Sequence, residues 1–472
     1  MTRARWSRGL VAVYIAVNGL VLANAAAHHY GVGYDAEGHQ RYIRALADGR
    51  LPSPADGEEY FAAPLPYVLP AVVTAAAPDL PFGVVLKGAQ FLQVLYSLGL
   101  TYALVRLCRR VRPDDALLPV AALCLLGMLP VYYRTMAMVR GEALAACLTV
   151  VCLERALALA GDRPRTARAV QLGALLGLLL LAKQWGAFVV AAVTLWMLYS
   201  GDRAAWRPRL RAVGVLVVTA GLTGGWYYGT LLWRFGSVAA FNTPASTTGW
   251  LSAKPAGFLS ELRLSTVGRD PVRPAFAPAP LLPTLYADTW GDYWCYWLVY
   301  GNTRVESDAV DALAAASPPA SNRDAMARYL GRVNAVALVP SAVFLSGFGL
   351  SLAALWRLGR RAPAGDAGDA LLGLTIAVSL AGYLLLLLRY PLLDVKASYL
   401  LHIVPPAAVL GGLLLCRVRA GAPRVLPVLA ALLALSTVHN AAALVTRYPQ
   451  WDAERSTLAG SPHEWLAGRR VD

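Results

Sequence analysis

Lysine is almost missing from this sequence: Lys87, Lys183, Lys254 and Lys396 are four residues among 43 Lys and Arg. Charge of either sign is scarce as well, at 15% of residues, where soluble globular domains carry about 25%. Set beside 57% hydrophobic residues and a mean hydropathy of +0.49, that shortage excludes a chain surrounded by water, including a soluble enzyme with a single anchor. Cysteine is sparse too. Cys124, Cys147 and Cys152 fall in apolar runs, Cys108 and Cys416 border Arg clusters, and Cys295 stands alone in a long loop, so neither a disulfide framework nor a zinc spacing emerges. No internal repeat is evident. The net charge of +15 comes from Arg residues that punctuate apolar runs without forming a patch, which reads as topology and not as a nucleic-acid surface.

Long apolar runs fill the rest. They lie near 10–27, 82–105, 116–132, 141–160, 169–182, 187–200, 212–232, 333–356, 370–388, 399–416 and 425–445, giving an all-α polytopic membrane protein of about eleven transmembrane helices. Arg3, Arg5 and Arg8 ahead of the first run place the N-terminus in the cytoplasm, and every second connection is then basic: Arg106 to Arg112, Arg155 to Arg168, Arg203 to Arg211, Arg357 to Arg361, and Arg417 to Arg424. The first run is long for a signal peptide and reads as a retained helix. The expected layout is an N-terminal transmembrane module (1–232) with a first outer loop at 28–81, a large outer loop (233–332), C-terminal transmembrane helices (333–446) and an outer tail (447–472).

The first outer loop carries Asp35, Glu37, His39, Tyr42, Leu46, Gly49 and Pro52, a D-x-E-x-H-x-x-Y string continued by Glu59-Tyr60 and Pro64-Leu65-Pro66-Tyr67. Asp35 and His39 are spaced i,i+4 and share a face if a helix starts by Asp35, which turns Glu37 elsewhere. This string resembles the opening of the GT-C membrane glycosyltransferases, the group containing protein O-mannosyltransferases, the lipid A aminoarabinose transferase and the lipopolysaccharide-core galacturonosyltransferases. Pro64-Leu65-Pro66 departs from that family's Pro-Pro-Leu-Tyr-like segment. The resemblance implies a GT-C-like bundle that moves a sugar from a polyprenyl-phosphate carrier to a hydroxyl on a lipid, glycan or protein, on the extracytoplasmic face. It gives Asp35 the role of general base, with Glu37 as helper or ligand of a divalent metal, Mg or Mn. Such chemistry needs a carboxylate to take the acceptor proton and cations to stabilise the departing phosphate.

Further candidates lie at helix ends expected on the same side. Glu142 matches a second acidic position in the family, with Arg140 beside it; the same two residues also read as a cap at a helix start. Lys183, between two apolar runs, is paired, snorkels or faces a phosphate. The segment from Arg389 to Pro406 is similar to the family's K-x-x-Y pattern near the lipid phosphate, which implies donor-phosphate contacts from Arg389, Lys396 and Tyr399; an interfacial anchor is the plainer alternative. His39, Tyr42, Glu59 and Arg140 are supporting candidates. In the large loop, Tyr286, Trp290, Tyr293, Trp297 and Tyr300 form one aromatic stripe if helical, which suggests an interfacial helix, and Ala312 to Arg328 suggests a cap. The Ala- and Arg-rich composition points to a GC-rich bacterium, its plasma membrane and an undecaprenyl or decaprenyl carrier. The expected partners are that lipid-linked sugar, membrane lipids and an acceptor of unknown identity. The rival is a transporter or flippase of a lipid-linked saccharide; it should have paired broken helices and charges near the membrane midplane.

Overall fold

The computed structural model describes residues 6–31, 33–160, 166–200, 206–242, 254–276, 278–294, 320–358, 366–390 and 392–445. Every expected apolar run is helical. The elements are α1 (Arg8–Ala27), α2 (Ala36–Ala47), α3 (Leu65–Ala76), α4 (Phe82–Val111), α5 (Leu117–Gly127), α6 (Pro130–Met136), α7 (Glu142–Ala160), α8 (Thr166–Ala182), α9 (Gly186–Tyr199), α10 (Trp206–Ala220) and α11 (Trp226–Phe235). After these come α12 (Leu264–Arg269), α13 (Leu281–Trp290), α14 (Ala320–Val336), α15 (Leu338–Leu358), α16 (Asp366–Arg389), α17 (Val404–Gly421), α18 (Val425–His439) and α19 (Ala441–Leu444).

The protein is a multi-pass membrane protein. Six of the described helices are long and apolar enough to cross a bilayer, or seven if α5 and α6 are one broken span, against the eleven expected. Several of the other expected runs are shorter or broken helices. The run at 116–132 is not one helix: it breaks after Gly127 and bends by 72°, because Pro130 has no N–H to continue the ladder and its ring excludes the preceding turn. The short α6 then turns inward, and all its residues are buried. The runs near 169–182 and 187–200 are helices of 17 and 14 residues that meet in a tight turn at Lys183 to Trp185. Between α10 and α11 a π-helical turn spans Gly221–Gly225. There Gly224 packs on the backbone of Gly177 in α8 so closely that a Cβ would strike the carbonyl, the close approach that small residues permit between membrane helices.

The core runs through α4, α5, α7, α8, α15, α16 and α17. Charges separate to its two ends. At one end Arg106 and Arg110 reach Glu154 at 3.0 and 3.2 Å, and Arg112 and Arg417 reach Asp369 at 3.3 and 2.7 Å, so the Arg-rich connections are tied to buried carboxylates. Helices α4 and α7 run from that end to the other, where the first loop, the α8–α9 turn, α13 and the segment before α17 converge.

Two expectations about the large loop fail. The aromatic stripe is not continuous, because α13 stops at Trp290 with Gly291 as its cap, and Trp290, Tyr293 and Trp294 are buried against the core and not laid along an interface. Trp297 and Tyr300 lie outside the described residues, as do Cys295, part of the Ala312 to Arg328 segment and the tail at 447–472.

Candidate active site

The site begins with the backbone of Asp35. This residue precedes α2 in the left-handed conformation (φ 57°, ψ 26°), where a non-glycine residue is uncommon, and its carboxylate makes no capping bond to the helix it introduces. Instead Lys396 Nζ donates to Asp35 Oδ2 at 3.1 Å, joining the first loop to a segment 361 positions later. The ammonium of Lys396 sits among three rings, 4.9 Å from Tyr34, 5.5 Å from Trp294 and 5.6 Å from Tyr399. Burial alone would raise the Asp35 carboxyl. Lys396, then Arg140, outweigh that and hold it at about 2. The Asp35 side chain keeps 21% of its surface exposed, unlike the buried residues around it.

A second pair lies alongside. Arg140 grips Glu142 in bidentate fashion at 3.1 and 3.0 Å and donates to the Tyr34 carbonyl at 3.2 Å, while Lys183 reaches the same Glu142 carboxylate at 3.0 Å. Tyr399 is held between the two pairs: Lys183 is 5.6 Å and Arg140 5.9 Å from its ring, and Trp185 packs on it at 5.2 Å. What lets α7 and the α8–α9 turn come so close is Gly141, whose missing side chain makes room for the Ala182 carbonyl. Three cations, Arg140, Lys183 and Lys396, thus share two carboxylates, Asp35 and Glu142.

Behind Asp35 lies a second buried layer. His39 Nδ1 and the Tyr67 hydroxyl are hydrogen-bonded at 2.9 Å, and Glu59 Oε2 is 3.9 Å from the same nitrogen. Burial, then Arg140 and Lys183, push His39 well below its ordinary value; burial, then the charge of Asp35, lift Glu59 to about 7. Tyr42 stacks beside Tyr67 at 4.6 Å.

Of the residues singled out in the sequence, Asp35, Glu142, Lys183, Lys396, Tyr399, Arg140, His39, Tyr42 and Glu59 all gather at this end. Glu37 does not enter the cluster: one residue into α2, it turns outward and pairs with Arg41 at 3.0 Å, with both side chains largely in solvent. Arg389 is half-buried at the end of α16. A buried knot was not foreseen. Asp288 of α13 accepts from the Tyr34 hydroxyl at 3.2 Å and from the Ala397 N–H at 2.6 Å, and Arg134 of α6 bonds both its carbonyl and its carboxylate, with Asp292 at 3.4 Å from Arg134. This knot fixes Tyr34 on one flank of Asp35 and the Lys396 segment on the other. Lys87, also unassigned, donates to the carbonyls of Ala25 and His28 at 2.7 and 2.5 Å and so fastens the end of α1 from which the loop departs.

The residues do not suit a divalent metal. Asp35 is engaged by Lys396 with Arg140 close by, and Glu37 points away, so a metal would meet cations where it needs oxygen ligands. Among the described residues no group of three or more His, Cys, Asp or Glu forms a metal-binding cluster.

No family model matches the sequence, and no curated protein matches it. Solved structures do. The apo Archaeoglobus fulgidus oligosaccharyltransferase superimposes with a TM-score of 0.50 at 15% identity, over 99% of this chain and 58% of that one. ArnT from Cupriavidus metallidurans bound to undecaprenyl phosphate gives 0.41 at 16% identity, over 93% and 79%. The chain spans a little over half of the oligosaccharyltransferase's length. The likeness is one of fold: the chain shares the helical fold of that oligosaccharyltransferase structure.

Proposed function

We propose that the protein is a glycosyltransferase that moves a sugar from a polyprenyl-phosphate donor to an acceptor hydroxyl on the extracytoplasmic face of a bacterial plasma membrane. The observation that carries this reading is the gathering of three buried cations, Arg140, Lys183 and Lys396, around Tyr399, with the partly exposed Asp35 bonded to one of them. Such a cluster suits an anion brought in at the membrane surface. The phosphate of the donor would be held by Lys183, Lys396 and Arg140, with the Tyr399 hydroxyl as a neutral donor. In the reaction Asp35 takes the proton of the acceptor hydroxyl. The freed oxygen attacks the anomeric carbon, the bond from that carbon to the phosphate oxygen breaks, and its electron pair leaves with the polyprenyl phosphate.

Asp35 tied to Lys396 is a weak base. On this reading the arriving phosphate competes for the Lys396 ammonium, and Asp35 gains proton affinity only when a donor is in place. Glu142 stays bound to Arg140 and Lys183 and keeps them aligned. The test is release of polyprenyl phosphate from a panel of polyprenyl-phosphate sugars by the protein in lipid nanodiscs. Release by wild type and its loss in Asp35→Asn, with unchanged folding, is the expected result. Equal release by both removes Asp35 from the reaction, and movement of intact lipid-linked sugar across the bilayer without release replaces the transferase with a flippase.

A further inference from the structure

At the end of the molecule away from Asp35, α8 and α10 part around a cavity of about 350 Å³, lined by Thr166, Arg207, Pro208, Arg211, Ala212 and Val215. Further along, the two helices are locked together, because a Cβ on Gly173 or Gly177 of α8 would strike the carbonyl of Leu216 or Ala220 in α10. The mouth of the cavity is open: Thr166, Arg207, Pro208 and Arg211 are all exposed. Beside them Trp206, 45% exposed, begins the 206–235 span, and an indole in that place suits the headgroup level of a bilayer.

What distinguishes this cavity is charge without compensation. At the same end Arg106 and Arg110 are tied to Glu154, Arg112 and Arg417 to Asp369, and Arg419 to Asp115 at 3.0 Å. Arg207 and Arg211 have no ion pair among the described residues, and no carboxylate is among those that line the cavity. Four positions apart on α10, they share a face and repel one another. An anion between them relieves that repulsion, and two guanidinium forks with the Thr166 hydroxyl match the oxygens of a phosphate. A zwitterionic headgroup would bring an ammonium among cations with no acid to receive it. The same face of α10 then continues as an apolar track. Counted from Arg207, positions i+8, i+11 and i+15 are Val215, Val218 and Leu222, the last two 61% and 78% exposed, and Gly214 at i+7 has open space where a side chain would stand. Charge at the head and bare apolar surface behind it match the two parts of an amphiphile, whereas a free phosphate would use only the first.

We infer that this cavity binds the phosphodiester headgroup of an anionic membrane phospholipid, whose acyl chains lie along α10 over Val215, Val218 and Leu222. The site stands apart from the glycosyltransferase reading, at the other end of α8 from Lys183. Native mass spectrometry of the full-length protein, freed from detergent after incubation with equal amounts of phosphatidylglycerol and phosphatidylethanolamine, counts the lipids that stay bound. Wild type should retain phosphatidylglycerol in preference. The double variant Arg207→Gln, Arg211→Gln should retain one phosphatidylglycerol fewer and no less phosphatidylethanolamine, with an unchanged unfolding temperature in phosphatidylethanolamine. Arg424→Gln, which removes an exposed guanidinium outside the cavity at the same end, should retain as much as wild type. Equal retention of the two lipids by wild type, no loss in the double variant, or the same loss in Arg424→Gln would overturn the proposal. So would release of that one phosphatidylglycerol from wild type by inorganic phosphate in about tenfold excess, which would make the cavity a site for the free anion.

Discussion

The exchange of Lys396 between Asp35 and the donor phosphate can be read from the pH dependence of turnover. In the free protein Lys396 and Arg140 hold Asp35 at about 2, below the ordinary 3.8, although burial pulls the other way. If the donor phosphate takes the ammonium, the largest lowering influence goes and burial remains, so the carboxyl in the donor complex should rise to the ordinary value or above it. The difference is roughly 2 pH units, or about 3 kcal/mol of proton affinity gained on donor binding. A base with a depressed pKa is active above it and is lost as the pH falls through it. Hence kcat/KM, which reports the free protein, should stay flat down to pH about 4, while kcat, which reports the complex, should begin to fall below pH about 5. The donor adds no limb of its own, since a sugar-linked phosphate is a diester without the second proton that a monoester titrates near pH 6. Lys396→Gln should bring the acid limb into kcat/KM as well and lower the rate at pH 7 by about 10²-fold or more. The assay is polyprenyl phosphate release in nanodiscs between pH 4 and 9, with Glu59→Gln as a parallel background. Coincident acid limbs for kcat and kcat/KM in the wild type, or a Lys396→Gln profile of unchanged shape, would refute the exchange.

Glu59, lifted to about 7 from 4.5, favours its protonated form in the folded state, so stability present below pH 4.5 should fall as the pH rises through 7, by about 3 kcal/mol, and Glu59→Gln should remove that slope. Unfolding midpoints at pH 5 and pH 8 in detergent check it, and parallel behaviour of the two proteins would contradict the burial argument. Glu142→Ala leaves Arg140 and Lys183 buried without their shared carboxylate and should cost about 3–5 kcal/mol, with Lys183→Met added to it costing less than the sum of the two single changes. A full sum in fluorescence-detected unfolding would show the pair to be uncoupled. Gly141→Ala places a Cβ against the Ala182 carbonyl and should force α7 from the α8–α9 turn, lowering polyprenyl phosphate release by about 10²-fold with a smaller loss of folded yield. Activity within a factor of about two of wild type would mean that the turn yields without disturbing Lys183.

Much of the architecture was legible because a bilayer leaves a chain few options. Apolar runs had to become helices, and alternating Arg clusters marked which connections share an end; the ties of Arg106, Arg110, Arg112 and Arg417 to Glu154 and Asp369 follow that division. The number of crossings was less legible, since hydropathy windows pass over a proline such as Pro130 that bends a run by 72°. The same blindness extended the aromatic stripe past Gly291: an i,i+4,i+7 count assumes the helix continues, and only the cap says where it ends.

At the site, Lys183 was legible because a charge is expensive between apolar runs, Arg140 and Glu142 as charges at a helix end, and Asp35 and Lys396 because their segments resemble short motifs of the GT-C glycosyltransferases. What a single sequence could not give is their pairing, because Asp35 meets Lys396 across 361 positions and Arg134 meets Asp288 across 154. Nor could it tell that Asp288, set among aromatic residues in an apparently peripheral loop, is wholly buried. Its two oxygens are used by Tyr34 and by the Ala397 backbone, one on each side of the Asp35–Lys396 bond. A carboxylate so enclosed has little freedom to move. It therefore makes α13 the brace that sets how far Lys396 stands from Asp35, which is the distance a donor phosphate would have to change.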